Sequence, residues 1–123
     1  MTNVSDIPEP PSFYREPLSV GRIRLASRFN LAPLAGYTNL PFRLSVRELG
    51  GVGLCTTDLV NARAIIESIR KTLDLLAHDD AERPLFVQIF GAKADEMAAA
   101  ARWLVERGIA DGIDINMGCP VRK

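Results

Sequence analysis

From residue 29 onward, short apolar runs alternate with longer stretches in which apolar residues recur every three or four positions. The runs at 29–34, 52–57, 85–90 and 112–116 predict four strands. Between the first two, Phe42, Val46 and Leu49 fall at i, i+4 and i+7 and predict a helix with that stripe facing inward. Thr38 or Asn39 can cap it, Pro41 is tolerated in its first turn, and Gly50-Gly51 ends it. Residues 61–76 predict a second helix, interrupted near Lys71-Thr72. Residues 79–84 form a polar loop. Met97, Ala100, Ala101, Leu104 and Val105 mark the third helix, which Gly108 stops.

Strands separated by helices imply right-handed crossovers and a parallel sheet. Two α/β architectures compete: the N-terminal half of a (β/α)8 barrel, and part of a doubly wound sheet. The turn after the first strand is Ala35-Gly36-Tyr37-Thr38, with no GxGxxG opening the helix, which weakens the doubly wound reading. A whole barrel needs about 250 residues, and this chain has 123. Upstream, residues 18–20 and 23–25 flank Gly21-Arg22 and predict an N-terminal hairpin. Residues 1–17 carry Pro8, Pro10, Pro11 and Pro17 and predict a flexible or extended arm, leaving 18–123 as the folded, incomplete barrel domain.

Charge adds little. Fifteen basic residues balance fifteen acidic ones, so no polyanion partner is signalled overall. Arg15, Arg22, Arg24 and Arg28 make a weakly basic segment, readable as solvated surface or as an RNA contact. No run is long enough for a membrane span and no apolar leader opens the chain, which predicts a cytoplasmic protein with reduced thiols. Cys55, Cys119 and His78 lack metal-ligand spacing, so no metal site is assigned. No oligomer is indicated.

The chemistry lies at the strand ends. The first gives Ala32-Pro33-Leu34-Ala35-Gly36, where small residues let a flat ring approach the backbone; an ordinary βα turn reads the same way. The third gives Phe86-Val87-Gln88-Ile89-Phe90-Gly91, with an amide inside an apolar strand. Gln88 must find partners, either neighbouring backbone or the polar edge of a heterocycle. The fourth gives Asp114-Ile115-Asn116-Met117-Gly118-Cys119-Pro120, a thiol in a tight turn. A lone cysteine also reads as a small buried hydrophobe.

Together these three segments, with Tyr37-Thr38-Asn39-Leu40-Pro41-Phe42-Arg43 continuing the first, resemble the tRNA-dihydrouridine synthases, in particular the bacterial B-type branch. The resemblance runs from about Leu18 to Lys123. It implies a TIM barrel that binds FMN and draws electrons from NADPH or NADH, with tRNA as substrate. It implies that backbone around Pro33, Leu34 and Ala35 lies against the isoalloxazine ring, that Gln88 bonds the flavin's pyrimidine edge, and that Asn116 helps place flavin and uracil. Cys119 would be the catalytic acid: hydride reaches C6 of the uracil from reduced flavin and the thiol protonates C5. A thiol of ordinary pKa, near 8.5, is mostly protonated at pH 7 and suits that role.

The chain departs from the family where Leu34 stands for a frequent methionine and Asp58-Leu59 for a frequent Glu-Met; Cys55 reads as core. The resemblance also places the family's phosphate loops, its flavin-contacting lysine and histidine and its helical tRNA-binding domain beyond Lys123. The expectation is therefore a fragment that binds FMN weakly and is inactive alone. Two rival readings are an FMN barrel reducing a free pyrimidine, of the dihydroorotate or dihydropyrimidine dehydrogenase kind, and a non-catalytic truncated remnant.

Overall fold

The computed structural model describes residues 11–118. Its centre is a parallel sheet. Strand β3 (Asn30–Leu31) pairs with β4 (Leu54–Thr56), β4 pairs with β6 (Leu85–Phe90), and β6 pairs with β7 (Gly112–Ile115). A short segment, β5 (Val60–Asn61), continues the line of β4 along β6. The strand positions thus follow chain order across the sheet, with no reversal. Before it, β1 (Leu18–Val20) and β2 (Ile23–Leu25) pair antiparallel, with Gly21 at φ +59 in the connection.

The six residues of β6 alternate cleanly. Leu85, Val87 and Ile89 are buried, whereas Phe86, Gln88 and Phe90 on the opposite face are half-buried. The buried set meets helices. Val60, Val87 and Ile89 pack with Ala62 and Ile65 of α2 (Ala62–Ile66), Leu76 beyond α3 (Arg70–Asp74), and Ala100 and Leu104 of α4 (Ala94–Glu106). On α4 the expected stripe is inward for Ala100 and Leu104, while Val105 is exposed. Gly108, at φ +66, ends that helix by donating to the Val105 carbonyl.

Three elements differ from the sequence reading. The first strand is two residues long rather than six, because the chain turns off the sheet at Ala32 and the following loop bonds to itself. The second helix is two short helices, α2 and α3, and the break lies at Glu67–Ile69 rather than near Lys71. Ser68 takes φ +53 there, and the Glu67 and Ser68 N–H groups close onto the Arg63 and Ile65 carbonyls.

The largest difference concerns α1 (Leu40–Leu49). Asn39 caps it, its Oδ1 accepting from the Phe42 N–H at 3.1 Å. The inward face, however, is not the apolar stripe: Phe42 and Leu49 are exposed and Arg43 is fully buried. Arg43 donates to the Glu82 carboxylate from Nε at 2.5 Å and Nη2 at 3.1 Å, to the Thr38 carbonyl at 2.6 Å and to the Ala77 carbonyl at 2.7 Å. Glu82 is equally buried, in a 3-10 turn (Asp80–Glu82) within the expected polar loop. One turn along α1, Arg47 donates to the Glu82, Pro84 and Val52 carbonyls. Helix α1 is therefore docked by arginines onto backbone and a carboxylate, which satisfies groups that would be costly to bury alone.

At the described end of the arm, Ser12–Arg15 makes one 3-10 turn and the Tyr14 ring stacks 6.0 Å from Phe29. Arg28, of the basic segment, donates to the Glu16 carbonyl. Cys55 is fully buried in β4 as a free thiol, and burial raises its pKa against the opposing pull of Arg47. A thiol reagent at pH 7 is expected to leave Cys55 unmodified in the folded Cys119→Ala chain and to label it in urea. Labelling without denaturant at the unfolded-state rate would contradict this burial.

Candidate functional site

The C-terminal ends of all four strand positions come together, and an irregularity in the second strand organises them. Cys55 and Thr56 pair with Leu85 and Phe86, whereas Val60 and Asn61 pair with Ile89 and Phe90. Four steps along one strand therefore match three along its neighbour, the signature of a β-bulge. At the bulge the Gln88 N–H donates to the Thr57 hydroxyl at 3.2 Å, and that hydroxyl donates to the Asp58 carbonyl at 2.9 Å. The bulge turns Asp58 toward the loop after β3. There its Oδ2 accepts from the Gly36 N–H at 2.6 Å, while its Oδ1 accepts from the Leu59 N–H at 2.7 Å.

The loop after β3 is held from two sides. Asp58 grips Gly36, which sits at φ +79 in a turn suited to glycine. On the other side the buried Thr38 hydroxyl lies 3.2 Å from both the N–H and the carbonyl of Leu34, and Arg43 holds the Thr38 carbonyl. Pro33 is half-buried, and Leu34 and Ala35 are exposed on the rim.

On β6 the Gln88 side chain does not bond to backbone. Its Nε2 donates to Asp114 Oδ2 at 2.6 Å, and its Oε1 accepts from Asn116 Nδ2 at 3.2 Å. The register explains the first contact, since Gln88 and Asp114 face each other across β6 and β7. Asn116 Oδ1 in turn accepts from the Gly118 N–H at 3.1 Å. A further polar relay thus crosses the strand ends next to the Asp58–Gly36 contact, linked to it through Thr57. Phe86 lies beneath on the same face, its ring filling the space that a Cβ at Gly112 would need.

The family model described as dihydrouridine synthase (Dus) matches residues 30–123. The chain belongs to the dihydrouridine synthase family. Among similar proteins, the "Probable tRNA-dihydrouridine synthase 1" of Synechocystis sp. is 38% identical over 92% of this chain and 31% of its own length. The "Probable tRNA-dihydrouridine synthase" of Mycobacterium tuberculosis is 42% identical over 86% of this chain and 29% of its own. The "tRNA-dihydrouridine synthase B" of Xanthomonas campestris pv. campestris is 39% identical over 86% and 31%. Within the family the likeness is to the B type, and the chain spans under a third of the length of these relatives.

Of the residues singled out from the sequence, this dihydrouridine synthase segment gathers Pro33, Leu34, Ala35, Gln88 and Asn116 at one end of the sheet. Cys119 lies outside the described residues. Two members of the cluster were missed as site residues. Asp58 entered the sequence reading only as a shortened carboxylate, because a bulge shifts register without leaving a mark in polarity. Asp114 was legible in principle as a second polar residue in an otherwise apolar strand.

A groove of about 930 Å³ runs between α4 and β7, lined by Met97, Ala101, Ile113 and Ile115 among others. Ile113 and Ile115 place it mainly on the helix-covered side, opposite Gln88, and it meets the strand-end cluster at its rim, where Asn61, Phe90 and Asn116 line it. Among the described residues no group of three or more His, Cys, Asp or Glu could hold a metal ion, and no helix is long and apolar enough to cross a membrane.

Proposed function

We propose that this segment forms the first four strands of a (β/α)8 barrel and one wall of an FMN site in a cytoplasmic tRNA-dihydrouridine synthase. The enzyme would use NADPH or NADH to reduce the C5=C6 bond of a uridine in tRNA. Two observations support the barrel. The parallel strands follow chain order, where a doubly wound sheet would reverse direction beside its first strand. The polar cluster lies at the C-terminal strand ends, where barrel enzymes keep their sites.

The observation that carries the flavin reading is Gln88. After its bonds to Asp114 and Asn116 it retains one N–H and one oxygen lone pair on the half-buried face beside a loop pinned at Gly36 and Thr38. That pair fits the pyrimidine edge of an isoalloxazine ring, and the Pro33–Leu34–Ala35 backbone offers the ring a flat surface. When bound, FMN supplies hydride for C6 of the uracil. The chain's own part is to fix the ring through Gln88 and the loop, to help orient the uracil through Asn116, and to deliver a proton to C5 from the Cys119 thiol. Hydride and proton together balance the two-electron reduction.

The test places residues 30–123 in the matching segment of the Mycobacterium tuberculosis relative and assays dihydrouridine in tRNA beside reduction of free uracil and orotate. Activity on tRNA alone is expected. Turnover of the free pyrimidines in its place would favour the dehydrogenase reading, and no turnover of any substrate would favour a non-catalytic remnant. In the same chimera Cys119→Ala should slow uridine reduction by about a hundredfold or more while flavin bleaching by NADPH stays within about twofold. Equal loss of both half-reactions would remove Cys119 as the acid.

A further inference from the structure

The geometry points to Asp114 as a positioning residue that fixes which way the Gln88 amide faces, and so fixes the order of donor and acceptor offered to a ligand's imide edge. The inference takes the ligand's identity, and nothing else, from the flavin reading above.

A glutamine amide is nearly symmetrical in shape, and a half-turn about its last torsion exchanges oxygen for nitrogen. What breaks the symmetry is the company it keeps. An ionised carboxylate only accepts, so the partner of Asp114 Oδ2, 2.6 Å away, has to be Nε2. The other end of the relay is anchored with the same sense. The Gly118 N–H only donates, so Asn116 turns Oδ1 toward it and Nδ2 toward Gln88 Oε1. Two one-way anchors, one at each end, leave the amides between them a single consistent orientation. Gln88 then offers its remaining N–H and its remaining lone pair in fixed order, matching the C=O and N–H of an imide. Reversing the amide would set donor against donor and acceptor against acceptor.

Isosteric exchange separates this role from a structural one. Gln88→Glu alone brings two carboxylates together and should lower the urea midpoint of the 123-residue chain. Adding Asp114→Asn exchanges the partners' roles: the amide now on β7 donates to the carboxylate now on β6, so the double variant should regain the wild-type midpoint. It should not regain ligand binding, because the carboxylate on β6 offers acceptors only. With FMN as probe at millimolar concentration, followed by backbone amide shifts at Leu34 and at position 88, the double variant should bind about tenfold or more weakly than wild type. Asp114→Asn alone should move the Gln88 Nε2 proton resonances upfield and speed their exchange, with Val87 and Ile89 amides unchanged. Unmoved Nε2 resonances in that variant, a double variant that fails to regain its midpoint, or one that binds FMN as wild type does would each overturn the inference. Should wild type show no FMN shifts while the resonances and midpoints behave as described, the flavin reading fails and the role of Asp114 in setting the amide stands.

Discussion

Glu82→Gln is expected to cost about 3–5 kcal/mol, a large share of the stability of a domain this size. The variant keeps the shape of the side chain and removes only its charge. Arg43 and Glu82 are both fully buried, and among the groups that accept from the guanidinium the carboxylate is the only anion. Without that anion a cation remains buried against two carbonyls and an amide whose own N–H groups point the wrong way. Glu82 also accepts from the Asp79 N–H in a capping box, so the turn before β6 loosens as well. Urea unfolding followed by the fluorescence of Trp103, which packs against the core, reads the loss. The double replacement Arg43→Met with Glu82→Leu should be less damaging than Glu82→Gln, since the cost comes from a stranded charge. A midpoint shift equivalent to under about 1 kcal/mol for Glu82→Gln would mean that water reaches the pair.

Gly53→Ala should destabilise by about 3 kcal/mol, at the upper end for overpacking. A Cβ at Gly53 would overlap the Ser27 carbonyl oxygen and stand 2.8 Å from the carbonyl carbon. The obstacle is backbone, which cannot rotate aside as a side-chain tip can. Gly53 also donates to the Phe29 carbonyl at 2.7 Å, so the crowded atom sits where β4 takes hold of the chain entering β3. That pairing spans only Asn30 with Leu54 and Leu31 with Cys55. Moving the Ser27 carbonyl away would strip β3 from the sheet and release the loop that β3 carries. Hydrogen exchange should show lost protection at Gly53 and at the Tyr37 and Thr38 amides, with Cys55, which donates to the Pro84 carbonyl, and α4 unaffected until global unfolding. Gly21→Ala provides the contrast. No atom lies within 4 Å of a Cβ there, and only the φ of +59 opposes the change, at about 1 kcal/mol.

The alternation of strands and helices, and the parallel sheet it implies, could be read from polarity; in β6 only Gln88 marks a face, and the period-2 burial of that apolar run emerges in the fold. The same rule misplaced α1. Its inner face is a cation neutralised by a carboxylate 39 residues away, and periodicity has no term for a charge satisfied at that distance. The break at Ser68 carried no glycine or proline to announce it. At the site, the expected cluster of loop, Gln88 and Asn116 was visible as motifs at strand ends. The contacts that hold it, Asp58 to Gly36 and Asp114 to Gln88, depend on register, which pairs residues 22 and 26 positions apart.

The bulge between β4 and β5 places an unusual demand on this stretch of chain. Thr57, Asp58 and Leu59 are constrained in number as well as in identity. Loss of any one residue would let the ladder to β6 run on unbroken, with Val60 still opposite Ile89, but it would flatten the bulge and carry the carboxylate away from Gly36. Sequences diverging from this one are therefore expected to keep the count of three between Thr56 and Val60 together with a carboxylate at the middle position, so that spacing and charge persist there as a pair.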